Sequence, residues 1–158
     1  MGINIGGLLK TEKITFNDLK DRVIAIDAYN VIHQFLAIIR QRDGTPLKDS
    51  EGRITSHISG LLHRTGNMVE SRMRPVYVFD GVPHPLKNQT LQMRKERKIN
   101  AEKEWKEAIE KGNLEKAKSK AQQTSRITDE IANQIKELIR LLGIPFIQAP
   151  SEGEAQAS

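Results

Sequence analysis

The sequence predicts an α/β fold with a partly parallel central sheet and helices on both faces. Three short apolar runs, typical of buried parallel strands, begin at Val23, Pro75 and Ile144. Amphipathic helical patterns lie between these runs, so that strand and helix alternate along the chain. A strand, a helix and a parallel strand form a right-handed crossover unit. We therefore expect the three runs to lie side by side in one sheet.

The first strand is predicted at residues 23–27, after a short turn or helix at residues 17–22. Asn30 belongs to a residue type that caps helices, and apolar side chains then recur at helical spacing over residues 31–39. A polar loop with two glycines and a proline follows at residues 41–53. This order predicts a strand, a helix and an exposed loop.

The second and third strands each follow an amphipathic helix. One helix is predicted from about Thr55 to Arg72, and it leads into a strand at residues 75–80. The other helix carries an apolar stripe between Ile127 and Leu142. Gly143 is predicted to cap its C-terminal end, before the strand at residues 144–147. Both pairs have the helix-then-strand order that parallel sheets require.

Residues 86–126 depart from this alternation. They contain strong helix formers but few large apolar side chains, so they can bury little surface on their own. Residues 87–126 hold twelve Lys or Arg and six Glu, a net charge of +6, whereas the whole chain carries +5. We expect helices that project from the core and become ordered on a polyanionic partner.

The composition excludes several functions. The 158 residues include no cysteine, so disulfides, thiolate catalysis and zinc–thiolate sites are excluded, and an intracellular location is expected. That location is the cytoplasm in a prokaryote and the nucleus in a eukaryote. No apolar stretch is long enough to span a bilayer, so no membrane partner is predicted. The motif Gly-x-x-x-x-Gly-Lys-Ser/Thr is absent, which disfavours a nucleoside triphosphatase.

Acidic residues stand at or just beyond the ends of all three predicted strands. Asp27 and Asp80 end the first two strands, and Glu152 and Glu154 come shortly after the third. Because the carboxyl ends of parallel strands meet at one edge, we expect these four carboxylates to lie together. Their mutual repulsion is costly unless a cation sits among them. The pattern therefore predicts a site for Mg²⁺, with Mn²⁺ as a substitute.

Each acidic residue also has a structural interpretation. An aspartate at a strand end, such as Asp27 or Asp80, can cap the segment that follows. Ser151 and Glu154 fit a capping box, which leaves the role of Glu154 open between cap and ligand. Glu152 is not needed for that cap and is the better candidate ligand. The four histidines are scattered, and we assign none of them to a metal.

The basic run from Lys87 to Lys98 begins soon after Asp80. Such a run is commonly only the solvated face of a helix. Its position beside the predicted acidic edge favours a second interpretation, in which its cations hold a scissile phosphate and offset the charge that develops there.

Several segments together resemble the flap endonucleases of the archaeal type. They are Met1–Ile3, Val23–Asn30, Gln34–Leu36, Thr55–His57, Pro75–Gly81, Leu142–Pro145 and Pro150–Ala155. They occur in order along essentially the whole chain, which makes the combination specific. The resemblance implies a PIN-like 5′ nuclease core, incomplete at its C-terminus, in which residues 84–130 form a helical arch around the 5′ strand.

The resemblance also implies a reaction. The protein would be a structure-specific 5′ flap endonuclease and 5′–3′ exonuclease that hydrolyses DNA phosphodiesters in replication and repair, with two Mg²⁺ ions in a complete site. The metal ligands, direct or through water, would be Asp27, Asp80, Glu152 and Glu154.

Basic and N-terminal residues would handle the DNA. Lys87 and Arg94 would match the catalytic residues that contact the scissile phosphate. His33 stands where many family members carry a tyrosine that stacks on a base. The predicted contacts with branched or 5′-flap DNA are Gly2, His33, Arg40, Arg97 and Lys98.

Members of this family are considerably longer, and their second half supplies further aspartates, a duplex-binding motif and a tail for the sliding clamp. The 158 residues match only the N-terminal part, so we expect them to be weak or inactive alone. Two other interpretations remain open: a non-catalytic DNA-binding module that uses the basic arch, and a small ribonuclease. The long basic insertion argues against a compact ribonuclease core.

Overall fold

A computed structural model describes residues 12–82 and 88–157. After a short 3₁₀ helix at Phe16–Leu19, the elements alternate between strands and helices. In order they are β1 (Val23–Asp27), α1 (Ala28–Ile38), α2 (Ser56–Glu70), β2 (Arg74–Phe79), α3 (Asn88–Glu110), α4 (Leu114–Gln122), α5 (Asp129–Leu141), β3 (Phe146–Gln148) and α6 (Gly153–Ala157).

The three strands form one parallel sheet in the order β1–β2–β3, which confirms the predicted α/β class. β2 is the central strand, and its Tyr77 and Phe79 have no exposed surface. The register pairs Asp27 with Val78, and Phe79 with Gln148. The C-terminal ends of all three strands therefore meet at one edge of the sheet.

Some element boundaries differ from the predicted ones. The prediction that Asn30 caps α1 is wrong, because β1 passes directly into the helix and Asp27 is the cap. The backbone N–H of Asn30 donates to Oδ1 of Asp27 at 2.9 Å. β3 begins at Phe146 rather than at Ile144, since Pro145 has no N–H to give to the ladder. β2 ends at Phe79, so Asp80 lies one residue beyond it.

Helices α1, α2 and α5 supply most of the core that packs with the sheet. Ile32, Leu61 and Ile135 have no exposed surface. The C-terminal end of α5 confirms the predicted glycine cap, because Gly143 has φ +69° and Ile144 N–H donates to the Ile139 carbonyl at 3.1 Å. Among the described helices, none is long and apolar enough to cross a membrane.

The basic segment contains a helical hairpin, α3 and α4. An ion pair joins the two helices, from Lys120 Nζ to Glu104 at 2.7 Å, and a second joins α3 to the segment after α4, from Arg126 to Glu102 at 3.6 Å. Small side chains close its interior: the buried ones are Ala101, Ala108, Ala117 and Ala121. The segment thus buries surface through alanines, which the prediction from its few large apolar residues did not anticipate.

The hairpin docks on the loop that follows α1. The indole N–H of Trp105 donates to the Asp43 carbonyl at 3.1 Å. Gly44 is buried in this contact with φ +87°, and a β-carbon there would lie 2.6 Å from Cβ of Ala121. Such a separation is too short for two carbon atoms. The hairpin is therefore fixed to the core near Trp105 and Ala121.

Two glycines of this loop provide a matched test of the docking. Gly52 has φ +84° but no neighbour within 4 Å of an added β-carbon. We expect Gly52→Ala to cost about 1 kcal/mol, from left-handed backbone strain alone. Gly44→Ala is expected to cost about 1–3 kcal/mol more, because its methyl group overpacks the hairpin. Urea unfolding of both variants measures the difference, and equal losses would contradict the docked arrangement.

Candidate functional site

The sheet brings Asp27 and Asp80 to the same edge. Asp27 ends β1 beside Val78, and Asp80 lies two residues beyond Val78, just past the end of the neighbouring strand β2. With strands about 4.8 Å apart and a rise of about 3.3 Å per residue, their Cα atoms are separated by about 8 Å. Both residues are half-buried. Their carboxylates thus face one region, at the carboxyl end of the sheet.

Each of these two aspartates also has a structural role. Oδ1 of Asp27 accepts the Asn30 N–H at the start of α1, and Oδ1 of Asp80 accepts the Gly153 N–H at the start of α6, at 2.5 Å. The predicted cap of the following segment is therefore confirmed for Asp27, whereas Asp80 bonds the start of a helix that is distant in sequence. Both contacts leave room for a ligand role, because one N–H engages one lone pair and an ionised carboxylate offers about four.

The segment after β3 folds against the Asp80 turn. The Ala149 N–H donates to the Phe79 carbonyl at 2.8 Å, and the Gly81 N–H donates to the Ser151 carbonyl at 2.6 Å. Glu152 is half-buried and lies between Ser151 and Gly153, which both bond this turn. The structure thus brings Glu152 close to Asp80.

α6 begins at Gly153, one residue later than a capping box with Ser151 requires. The residue before the helix is Glu152, and Glu154 is exposed in its first turn. The capping box predicted from Ser151 and Glu154 is therefore out of register. Glu154 is the second residue of α6, directly after Gly153, whose N–H bonds Asp80.

Two glycines permit the close approach of the two segments. A β-carbon on Gly81 would lie 2.6 Å from the carbonyl oxygen of Pro150, and one on Gly153 would collide with Oδ1 of Asp80. Both acidic positions are thus followed by glycine for a steric reason. A larger residue at Gly81 has to displace the backbone at Ala149 and Pro150, and one at Gly153 has to displace the Asp80 side chain.

The residues present fit part of a cation site. Within residues 12–82 and 88–157, no three Asp, Glu, His or Cys side chains are grouped closely enough to hold a metal ion. The available donors are carboxylate oxygens, which are the ligands that Mg²⁺ and Mn²⁺ prefer. The edge therefore has suitable donor chemistry, and a complete cage needs further ligands.

A further acidic residue contributes to the field at this edge. Burial, followed by the charges of Asp80 and Asp129, raises the pKa of Tyr29. Asp129 stands in the first turn of α5, where Thr128 is the cap. Asp129 carries no distinctive signal in the sequence, because an acid after a capping threonine is the ordinary pattern of a helix start.

Basic side chains lie beside the acidic edge. Burial lowers the pKa of His33, the charges of Lys98 and Arg94 lower it further, and Asp27 acts in the opposite direction. His33 on α1 is thus within the fields of both the acidic edge and α3. Arg94 and Arg97 are exposed, whereas Lys98 is half-buried. Lys87 and Gly2 lie outside the described residues.

Arg40 is held by the protein. Its Nε donates to the Leu36 carbonyl at 2.7 Å, and its two terminal nitrogens donate to the Gly44 carbonyl and to Oγ of Ser125, at 2.8 and 3.2 Å. Burial lowers its pKa. These contacts join α1, its loop and the end of the hairpin, which gives Arg40 a structural task alongside any contact with DNA.

The placement of His33 between opposite charges makes a prediction about its titration. We expect Lys98→Ala to raise the pKa of His33, because a nearby positive charge is removed. Asp27→Asn is expected to lower it, since the stabilising negative charge is lost. Lys118, exposed on α4, supplies a control variant with no expected effect. NMR titration of the imidazole signals measures all three, and an unchanged His33 in the first two variants would contradict this geometry.

Comparison with known sequences finds one matching family and relatives that match the whole chain. The XPG N-terminal domain family matches residues 3–101. The flap endonuclease 1 of Thermococcus onnurineus is 52% identical over the whole chain, as is that of Methanosarcina acetivorans. The chain spans 46% and 47% of these two proteins, so it covers about half the length of the curated relatives that it matches.

Comparison with solved structures also finds nucleases that resemble this chain. Flap endonuclease-1 from Methanococcus jannaschii is 43% identical with a TM-score of 0.67, over 99% of this chain and 50% of that one. The catalytic core of Rad2 in complex with DNA substrate is 28% identical with a TM-score of 0.60, over 92% of this chain and 36% of that one.

Proposed function

The chain belongs to the XPG N-terminal domain family, and we propose from this that it supplies the N-terminal part of a structure-specific 5′ flap endonuclease. The observation that carries the proposal is the position of Asp27 and Asp80 at one edge of a parallel sheet, beside a basic helix. A carboxylate edge and neighbouring cations are what metal-assisted hydrolysis of a phosphodiester requires. The similarity to flap endonucleases supports DNA as the substrate.

The carboxylates would hold the metal. Asp27, Asp80 and Glu152 are the ligands that the geometry favours, with Glu154 as a further candidate from α6. The chemistry supplied there would be activation of water and stabilisation of the leaving oxygen by two divalent cations. A complete cage would need ligands in addition to those of the described residues. Mg²⁺ is the proposed ion, and Mn²⁺ is the proposed substitute.

The basic residues would hold the DNA strand. Arg94, together with Lys87, would contact the scissile phosphate and stabilise the charge that develops on it. Arg97 and Lys98 would contact neighbouring phosphates, which position the strand without reading its sequence. Residues 84–130, which contain the α3–α4 hairpin, would form the arch over the 5′ strand.

Three further residues are proposed DNA contacts. His33 would stack on a base, and burial, which lowers the pKa of its imidazole, favours the neutral ring for that contact. Gly2 would lie near the metal site, and Arg40 would contact DNA through N–H groups that its protein contacts leave over.

A non-catalytic DNA-binding module is the second candidate. It is favoured by the helix-capping hydrogen bonds of Asp27 and Asp80, which give both acids a role without chemistry. In that case the basic hairpin would bind phosphates and the acidic edge would only shape the fold. The two candidates differ in one property, namely cleavage that depends on a divalent cation.

The test uses the chain alone and the same chain fused to the C-terminal part of an archaeal flap endonuclease. We expect Mg²⁺-dependent cleavage of 5′-flap DNA by the fused protein, abolished by a chelator, and little or none by the chain alone. The reason is that the described residues do not complete a metal cage. Cleavage by the chain alone at the rate of the fused protein would refute the expected inactivity, and binding without cleavage by both would favour the non-catalytic module.

A further inference from the structure

The turn that carries Asp80 accepts hydrogen bonds from a side chain of the neighbouring strand. Gln148, the last residue of β3, donates from Nε2 to the Asp80 carbonyl at 2.7 Å and more weakly to the Phe79 carbonyl at 3.4 Å. Its own backbone pairs with Phe79 in the sheet. One side chain thus extends the β2–β3 pairing past the end of the strand, onto the residue that bears the carboxylate.

The Gln148 side chain is in turn hydrogen-bonded by a residue of α5. Lys136 Nζ donates to Oε1 of Gln148 at 2.9 Å, and the same ammonium group lies 5.0 Å from the ring centroid of Phe79. Because an ammonium can only donate and a carbonyl can only accept, both partners fix the same orientation of the Gln148 amide. The chain of contacts from Lys136 through Gln148 to Asp80 is therefore consistent in polarity along its whole length.

The other side of Asp80 is fixed by different groups. Its Oδ1 accepts the Gly153 N–H, and the adjacent Gly81 N–H donates to the Ser151 carbonyl. The backbone at Asp80 is held by Gln148, while the carboxylate is held by the start of α6. Two backbone bonds, at Phe79 and Gly81, also hold this turn, so we expect loss of the Gln148 contact to make Asp80 and its carboxylate more mobile rather than to release them.

We propose that Gln148 and Lys136 are positioning residues of the site, which set the place of the Asp80 carboxylate relative to Glu152. This inference rests on the proposed function for its purpose, since a cation site needs its oxygen donors held in a fixed geometry. Neither residue touches the reacting atoms. The hydrogen bonds from Lys136 to Gln148 and from Gln148 to the Asp80 carbonyl cannot be inferred from the acidic motifs alone.

The first measurement is hydrogen exchange of the Gly153 amide in the full chain without metal. We expect Gln148→Ala to accelerate this exchange by about 10-fold, because the acceptor on Asp80 becomes mobile. Gln123→Ala is the matched control: Gln123 is exposed, and its amide also donates to a backbone carbonyl, that of Ser119, but on α4. Lys136→Met, which keeps an apolar stem of similar length, is expected to give a smaller acceleration in the same direction.

The second measurement is Mn²⁺ affinity of the same chains, from the loss of the EPR signal of free Mn²⁺. We expect Gln148→Ala to weaken binding by about 10-fold, within the range for residues that orient ligands. Asp80→Asn serves as the reference, because it removes a ligand while keeping an acceptor for Gly153. A residue that merely stabilises the strand end would change overall stability and leave the affinity of the folded chain unchanged.

The outcomes separate this inference from the proposed function. Unchanged Gly153 exchange in Gln148→Ala overturns the positioning role, whatever the metal data show. Faster exchange with weaker Mn²⁺ binding supports it, and faster exchange with unchanged Mn²⁺ binding overturns its link to the cation site. If Asp80→Asn binds Mn²⁺ as tightly as the original chain, the metal role proposed for Asp80 fails, and the exchange data alone still decide whether Gln148 positions its carboxylate.

Discussion

Replacing Asp80 by Asn is expected to reduce Mg²⁺-dependent cleavage of 5′-flap DNA by the fused protein by at least about 100-fold. Asn keeps an oxygen that can accept the Gly153 N–H, so the start of α6 stays in place. What the substitution removes is one negative charge at the edge of the sheet. Metal binding therefore weakens while the fold is maintained, and single-turnover cleavage measures the loss directly.

DNA binding provides the internal control for this variant. The affinity for 5′-flap DNA, measured in Ca²⁺ or with a chelator, should be unchanged or slightly higher, because a charge that repels phosphate is gone. Asp49→Asn, in the loop where Asp49 pairs with Arg53, is a matched variant away from the edge and should cleave normally. Cleavage by Asp80→Asn at the original rate would exclude this carboxylate from the chemistry.

Replacing Arg94 by Ala is expected to lower the cleavage rate of the bound substrate by about 100-fold. Arg94 is exposed on α3, yet its charge lowers the pKa of His33, which the charge of Asp27 raises. It is therefore a solvent-exposed cation near His33, and the proposed role places a phosphate between it and the acidic edge. A guanidinium that stabilises charge in the transition state affects the turnover number more than it affects affinity.

Arg97→Ala is the comparison for Arg94. Arg97 is also exposed on α3, three residues farther along. As a general phosphate contact, it should lose affinity and reduce the salt dependence of binding, with the turnover number nearly unchanged. If both variants lose affinity alone, Arg94 is a phosphate clamp, and the catalytic role proposed for it is wrong.

Much of the fold could be predicted because its periodic signals agree with its packing. The apolar stripe of α5 and the cap at Gly143 placed that helix and its end correctly, since each depends on residues close in sequence. The β3 start was harder, because Pro145 is apolar but lacks the N–H of a ladder residue.

The buried interior of the hairpin could not be predicted from its large apolar residues. Its interior is closed by alanines such as Ala117 and Ala121, and its docking depends on Gly44, whose positive φ and close neighbours are set by tertiary contacts. Small residues carry little signal in a hydrophobic pattern, since alanine is also the common filler of exposed helix positions. Their burial was therefore not visible in the sequence.

The candidate site was predictable where it follows from topology. Parallel strands share one carboxyl edge, which is enough to bring Asp27 and Asp80 together. Gln148 and Lys136 could not be found in this way, because an amide at a strand end and a lysine on a helix are ordinary surface residues. Their contacts with the Asp80 turn depend on how α5 and β3 pack, which local pattern does not encode.

We propose that the carboxylates at the ends of three strands act as one cation site. Addition of substoichiometric Mn²⁺ to the isotope-labelled chain tests it, because a paramagnetic ion broadens amide signals near it. We predict joint broadening at residues 27–29, 80–81 and 152–154, with no broadening at the acidic loop residues 49–51. Broadening that begins at the loop, or that reaches only one strand end, would contradict the claim.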